Sequence, residues 1–226
     1  MNLYSLNRTV TLAALLLLLF SCAEKRKESA IIEIVFNQHE EVTGEIMQFY
    51  QQEKRVLKGI YQWENHWLFC VDASESKQIQ SKIEKHFPRT IQKNYDKPFY
   101  QFNRQEHCNQ KSAAEWTSVI MTANLVEDVD MQEEYMKYHQ TQFENWPEVS
   151  QGFCNADFQQ LLLFRNGRQL MLVISIPKGE DLDELNPLTT ENNPQVDEWN
   201  SIMSKYQEGV ENAPEGATWI EFQQIR

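Results

Sequence analysis

The residues best suited to chemistry lie in one stretch, Tyr135-Met136-Lys137-Tyr138-His139, followed by Trp146-Pro147-Glu148. A separation of four puts Tyr135 and His139 one turn apart on the same helix face, so both ring tips can reach one small molecule. Histidine takes and gives protons near neutrality, and this pair therefore predicts acid/base chemistry that runs without a metal. A Tyr and a His at this spacing are, taken alone, more often a hydrogen-bonded core contact. The other histidines, His39, His66, His86 and His107, sit in polar loop or helix-end contexts and are expected at the surface.

Several other chemistries have no foothold. There is no GxGxxG, P-loop, HExxH or GxSxG pattern, so nucleotide, zinc-hydrolase and serine-hydrolase readings lack their motifs. Beyond Cys22 the cysteines are Cys70, Cys108 and Cys154, with no CxxC spacing. Neither a zinc site nor a disulfide framework is suggested; one bridge is allowed, with its partners left open. No cofactor or metal is expected. Residues 112–226 hold 20 Asp/Glu against 6 Lys/Arg, and the whole chain carries −12. An acidic body of this kind excludes the basic footprint that nucleic acid requires.

The elements around these residues repeat one plan. Residues 31–36 alternate as a strand, and Val42, Ile46, Phe49, Tyr50 and Leu57 follow at helical spacing. Residues 60–63 and 67–71 read as a hairpin around Glu64-Asn65. Ser74 reads as the cap of a helix carrying Ile79, Ile83 and Phe87 up to Pro88, and residues 99–102 as a last strand. After a polar linker at 108–115 the order begins again. Residues 119–125 form a strand, Met131, Tyr135, Tyr138 and His139 mark a helix face, and 158–164 and 169–176 flank an Asn166-Gly167 turn. Asn193-Pro194 opens a helix with Val196, Trp199, Met203, Tyr206 and Val210, and 218–225 is a closing strand.

The expected fold is α+β: two ferredoxin-like βαββαβ units, residues 30–107 and 116–226, forming a fused pseudo-dimeric α/β barrel. Two unrelated α+β domains are the alternative.

Residues 121–225 resemble the L-rhamnose mutarotase family. The likeness rests on Glu134-Tyr135, His139, Trp146-Pro147-Glu148-Val149, the hairpin at 158–176, Trp199 and the run Pro214-Glu215-Gly216-Ala217-Thr218-Trp219-Ile220-Glu221. It implies a cofactor-free enzyme that exchanges the anomers of L-rhamnose or a related 6-deoxy sugar, with His139 as the proton-transferring group. It also implies Tyr135 and Trp199 at the sugar. Trp146, Glu148 and Asn124 are further candidates for sugar contact. The chain departs from the family pattern in the six residues between His139 and Trp146, in Leu161-Leu162-Leu163-Phe164 where a tyrosine often stands, and in having the single Trp199. The first half has no histidine on the matching helix and reads as a degenerate copy kept for barrel closure.

The opening residues carry an address. Arg8, the apolar run 12–20 and Leu19-Phe20-Ser21-Cys22 have the layout of a secretory signal over 1–22, and the last four resemble a bacterial lipobox. The apolar run is about half the ~20 residues a spanning helix needs. Cys22 is therefore expected to be lipidated, with 23–29 as a tether, holding the protein at a membrane facing the periplasm or exterior; a cleaved soluble signal is the alternative. Two competing functions stand beside the mutarotase: a sugar-binding or structural lipoprotein without turnover, and a haem or quinone monooxygenase, which dimeric α/β barrels also host.

Overall fold

The computed structural model describes residues 29–37 and 41–225. The expectations for the signal segment, Cys22 and His39 lie outside the described residues, and the tether meets them only at Ser29. The first unit runs β1 (Ser29–Val35), α1 (Thr43–Glu53), β2 (Leu57–Trp63), β3 (His66–Asp72), α2 (Ser76–His86), β4 (Ile91–Tyr95), β5 (Tyr100–Asn103) and a single turn, α3 (Arg104–His107). The second runs β6 (Trp116–Leu125), α4 (Val129–Gln140), α5 (Gln142–Asn145), α6 (Pro147–Asn155), β7 (Gln160–Asn166), β8 (Gln169–Pro177), α7 (Leu182–Leu185), α8 (Pro194–Met203), β9 (Gln207–Glu208) and β10 (Ile220–Ile225).

Both units have the ferredoxin-like strand order, β4-β1-β3-β2 in the first and β10-β6-β8-β7 in the second. They are joined by their last strands. Residues 220–222 of β10 pair with β6 in their own unit, and residues 223–225 pair with β2 of the other. The first unit mirrors this handover: β4 pairs with β1, and the chain then continues into β5, which pairs with β7. Because β4 leads directly into β5, the two ends of the strand order are one stretch of chain and the sheet closes on itself. The two-unit barrel expected from the pattern is thus observed.

Strand alternation gives each unit two buried faces. The inner face fills the barrel with Ile31, Tyr61, Leu68, Tyr95, Ile120, Leu162, Phe164, Met171, Val173 and Phe222, drawn from both units. The outer face of the first unit packs Ile32, Ile34, Trp67 and Phe69 under Ile46 and Phe49 of α1 and Ile79 and Ile83 of α2. The outer face of the second unit packs under α4, α6 and α8.

Four local expectations change. The strand expected at 99–102 is β5, but it belongs to the β7 edge, and the strand beside β1 is β4, whose Gln-Lys-Asn interior hides the alternation. Ser74 caps nothing: it lies in a 3-10 turn, Ala73–Glu75, and α2 begins at Ser76. The helix with Trp199 stops at Met203, with Tyr206 in a following 3-10 turn and Val210 beyond it. The polar linker is anchored at its start, because Cys108 is disulfide-bonded to Cys154 in α6. Nearby, Arg104 is 3% exposed, donates to the carbonyls of Cys154 and Phe158 and pairs with Asp157 at 3.0 Å. Cys70 is the free thiol among the described cysteines.

Candidate active site

Helix α4 starts where the Asp128 carboxylate accepts from the amide of Met131 at 3.1 Å, the usual way an Asp satisfies an orphan helix donor. Its buried side chains are Gln132, Tyr135 and His139, so the stripe that α4 turns to the sheet is polar and aromatic. His139 Nδ1 donates to the carbonyl of Tyr135 at 3.0 Å. That fixes the neutral tautomer with its lone pair on Nε2, and Nε2 has no hydrogen-bond partner among the described residues.

Aromatic rings enclose this imidazole. The ring centroids of Tyr135, Tyr100, Trp199 and Phe99 lie 4.3, 5.2, 5.3 and 5.8 Å from it. His139 is 8% exposed. Burial pushes its pKa down to about 4, against the opposing effect of the Tyr135 carbonyl. At neutral pH the group is a base, not an imidazolium.

The Tyr135 hydroxyl accepts from Gln207 Nε2 at 3.1 Å, and Trp219 Nε1 holds that amide by donating to Gln207 Oε1 at 3.2 Å. Burial raises the Tyr135 pKa above the ordinary phenol value, so the proton stays on oxygen and can be donated. Tyr100 donates to Gln142 Oε1 at 2.6 Å, and Gln142 Nε2 donates to the carbonyl of Trp146 at 2.6 Å. The Trp146 ring lies 5.7 Å from that of Trp199. The six residues between His139 and Trp146 are accommodated by ending α4 at Gln140 and inserting the short α5 before Pro147.

Of the residues expected at the site, Tyr135, His139, Trp146 and Trp199 form one cluster. Glu148 and Asn124 do not join it. Glu148 lines a separate cavity of about 600 Å³ with Gln151, Asn155, Glu191 and Asn193. Asn124 pairs with Gln169, in step with Thr122 and Ile120, on the inner face of the sheet, whereas α4 covers the outer face. Phe99 and Tyr100 were missed as site residues. Their aromatic character was visible, but their place beside His139 depends on β5 crossing to β7, where Tyr100 sits opposite Leu163. The strand beside 161–164 thus carries a tyrosine, its hydroxyl bonded to Gln142.

Residues 119–225 match the L-rhamnose mutarotase family. A UPF0734 protein of Dictyostelium discoideum is 28% identical over 103 residues, which make up 46% of this chain and 80% of that protein. An L-fucose mutarotase of Xanthomonas campestris pv. campestris is 26% identical over 99 residues, 43% of this chain and 77% of that enzyme. Among solved structures, a candidate monooxygenase of Lactobacillus acidophilus has a TM-score of 0.47 at 9% identity, over 88% of this chain and 94% of that one. A ferredoxin-fold protein of Listeria monocytogenes related to antibiotic biosynthesis monooxygenases has a TM-score of 0.37 at 11% identity, over 87% and 95%. Scores this low bear on no activity. The mutarotase likeness supports a sugar mutarotase at the level of family and is confined to the half that holds α4.

Proposed function

We propose that the protein is a cofactor-free mutarotase for L-rhamnose or a related 6-deoxy sugar, held at a bacterial membrane by lipid on Cys22 and facing the periplasm or exterior. The observation that carries the catalytic part is the unpartnered Nε2 of a neutral, oriented His139 beside the protonated hydroxyl of Tyr135. Mutarotation needs a proton taken from the anomeric hydroxyl while another is given to the ring oxygen. His139 Nε2 takes the first and Tyr135 gives the second as the C1 to ring-oxygen bond breaks. The free aldehyde rotates, and the two groups reverse their roles as the ring closes on the other face. Trp199 and Trp146 offer flat apolar surfaces to the C–H face of the deoxy sugar, and Tyr100, through Gln142, stiffens the wall opposite.

Saturation transfer in proton NMR tests this directly. The protein should speed exchange between the anomeric protons of L-rhamnose, and His139→Ala should lose most of that gain. Background exchange with sugar still bound would instead favour a binding lipoprotein without turnover. For the anchor, two or more acyl chains at ~0.8 kcal/mol per buried methylene suffice for stable attachment. Cys22→Ser should move the protein from the membrane to the soluble fraction on cell lysis; an unchanged distribution would overturn the anchor and leave the enzyme untouched.

A further inference from the structure

One of the histidines expected at the surface, His66, is half-buried. His66 begins β3, and its Nδ1 meets Oε1 of Glu33 at 2.6 Å. Glu33 is 0% exposed and lies in β1 in step with Ile31, so it points into the barrel. Its other oxygen accepts from Tyr95 at 2.9 Å and from Gln169 Nε2 at 3.2 Å, and Lys93 Nζ lies 3.9 Å away. Gln169 Nε2 also donates to Thr122 at 3.0 Å, and Lys93 donates to Gln169 Oε1 at 2.5 Å. Burial alone would raise the Glu33 pKa; the bond from His66 and the charge on Lys93 outweigh it and hold the carboxyl below its ordinary value.

This cluster is costly for a barrel core. A buried carboxylate contributes little net stability even when paired, and Glu33 lies among Ile31, Leu68 and Phe222. Ionised groups held this way with specific partners concentrate at functional sites. Glu33 Oε1 accepts the Nδ1–H of His66, as the aspartate of a catalytic triad does for its histidine, which leaves Nε2 as the ring's other polar atom. No bond to Nε2 exists among the described residues. The side chains of His66 and Lys93 are 16% and 29% exposed, so the cluster is reached from the barrel end that carries the 64–65 and 167–168 turns. Trp63, partly buried, sets its ring 5.1 Å from that of His66, and Asn124 lies on the same face by strand register.

We infer that this end of the barrel is a second ligand site, on the opposite face of the sheet from His139, and that it takes a neutral hydroxyl-rich molecule of monosaccharide size. Glu33 and Lys93 cancel in charge, which removes the driving force for an anion. His66 Nε2 hydrogen-bonds a ligand hydroxyl, Lys93 and the Asn124 amide offer donors, and the Trp63 ring covers an apolar C–H face. A flat ring ringed by a few convergent polar groups is the usual make-up of a small-molecule site. The inference does not rest on the function proposed for His139.

The test is a titration of the full-length protein with L-rhamnose, and with D-galacturonate as the anionic comparison, read by NMR at the Trp63 indole N–H and the His66 ring. The Trp199 indole reports the His139 site separately, so the failure of one site is distinguishable from that of the other. L-rhamnose should move the Trp63 and His66 signals saturably, and H66Q should weaken the response at Trp63 roughly tenfold or more, the cost of an unmade hydrogen bond plus its partner. Where H66Q does not fold, W63L, changed at the rim, carries the test with His66 as the reporter. Stationary Trp63 and His66 signals, a response unaltered by H66Q or W63L, or a response to the uronate alone would each overturn the inference.

Discussion

In the first unit the buried Glu33 and Tyr95, with half-buried His66 beside them, point into the barrel, while the face under α1 buries Ile46 and Phe49 against Ile32, Ile34 and Phe69. In the second unit the inner-face residues at the corresponding register are Thr122, Gln169 and Phe222, and the helix matching α1 is α4, which buries Gln132, Tyr135 and His139. One strand order therefore hosts ionisable chemistry on opposite faces of its sheet. Each unit keeps one face apolar enough to fold on and places its costly groups on the other. The barrel permits this because the inner face is shared: the first unit's carboxylate is satisfied partly by Gln169 of the second, and the second unit's histidine is walled partly by Phe99 and Tyr100 at the end of the first.

The comparison is broken most directly at the two histidines. His139→Ala should lower catalysed anomer exchange by about 10² to 10⁴, the usual contribution of a positioned acid/base group, with the fold kept by circular dichroism. An equal loss from H66Q would show that the two faces act on one reaction and would collapse the distinction between them.

Stability separates the faces next. Glu33→Ala leaves His66, Tyr95, Lys93 and Gln169 without their common acceptor and should cost about 3–5 kcal/mol in urea unfolding, as removal of one partner of a buried pair does. Thr122→Ala, at the corresponding place in the second unit, loses one neutral hydrogen-bonding group and should cost about 1 kcal/mol. Similar losses at both positions would mean that the first unit's polarity is no more deeply built in than the second's.

Acid should then unfold the units for different reasons. His139 has a folded pKa lowered to about 4 from 6.5, so the unfolded chain takes up its proton first. Stability is complete above about pH 6.5 and drains away as the pH falls towards 4, by about 3 kcal/mol at ~1.4 kcal/mol per unit. Glu33, whose folded pKa is lowered, contributes stability that is present above its unfolded value of about 4.3 and is lost only below it. His139→Gln should therefore flatten the stability curve between pH 6.5 and 4 and leave the steeper fall below pH 4.

Much of this architecture was legible because hydrophobic periodicity carries it. The two hairpins, the α4 stripe, Asn193-Pro194 at the start of α8 and the repeat of βαββαβ are all local patterns. So is the clustering of Tyr135 and His139, which needs only helix geometry. What escaped was non-local. Glu33 sits in a β-branched run where a lone acid reads as the solvent side of a strand, and only barrel closure turns that side inward. His66 follows a Glu-Asn turn and looks exposed until Glu33 is seen across the ladder. Cys108 and Cys154 are 46 residues apart and are brought together by α3 and α6, which no spacing rule links. Tyr100 depended on where one strand stopped pairing with its own unit.

That handover sets the finest test of the comparison. If the first unit contributes to the second unit's site through Tyr100, then Tyr100→Phe keeps the ring beside His139 and removes only the hydroxyl bonded to Gln142 at 2.6 Å. The stability cost should be about 1 kcal/mol, softened because Ser150 also reaches Gln142 Oε1, at 3.4 Å. The informative quantity is the exchange rate. Gln142 holds the Trp146 carbonyl, so loosening it should reduce saturating exchange by only a few-fold, about 1 kcal/mol of barrel-to-helix coupling, while leaving the acid limb set by His139 where it was. A shift of that limb towards 6.5 would instead mean that the hydroxyl keeps water from His139, and that the first unit tunes the base itself and not merely the wall around it.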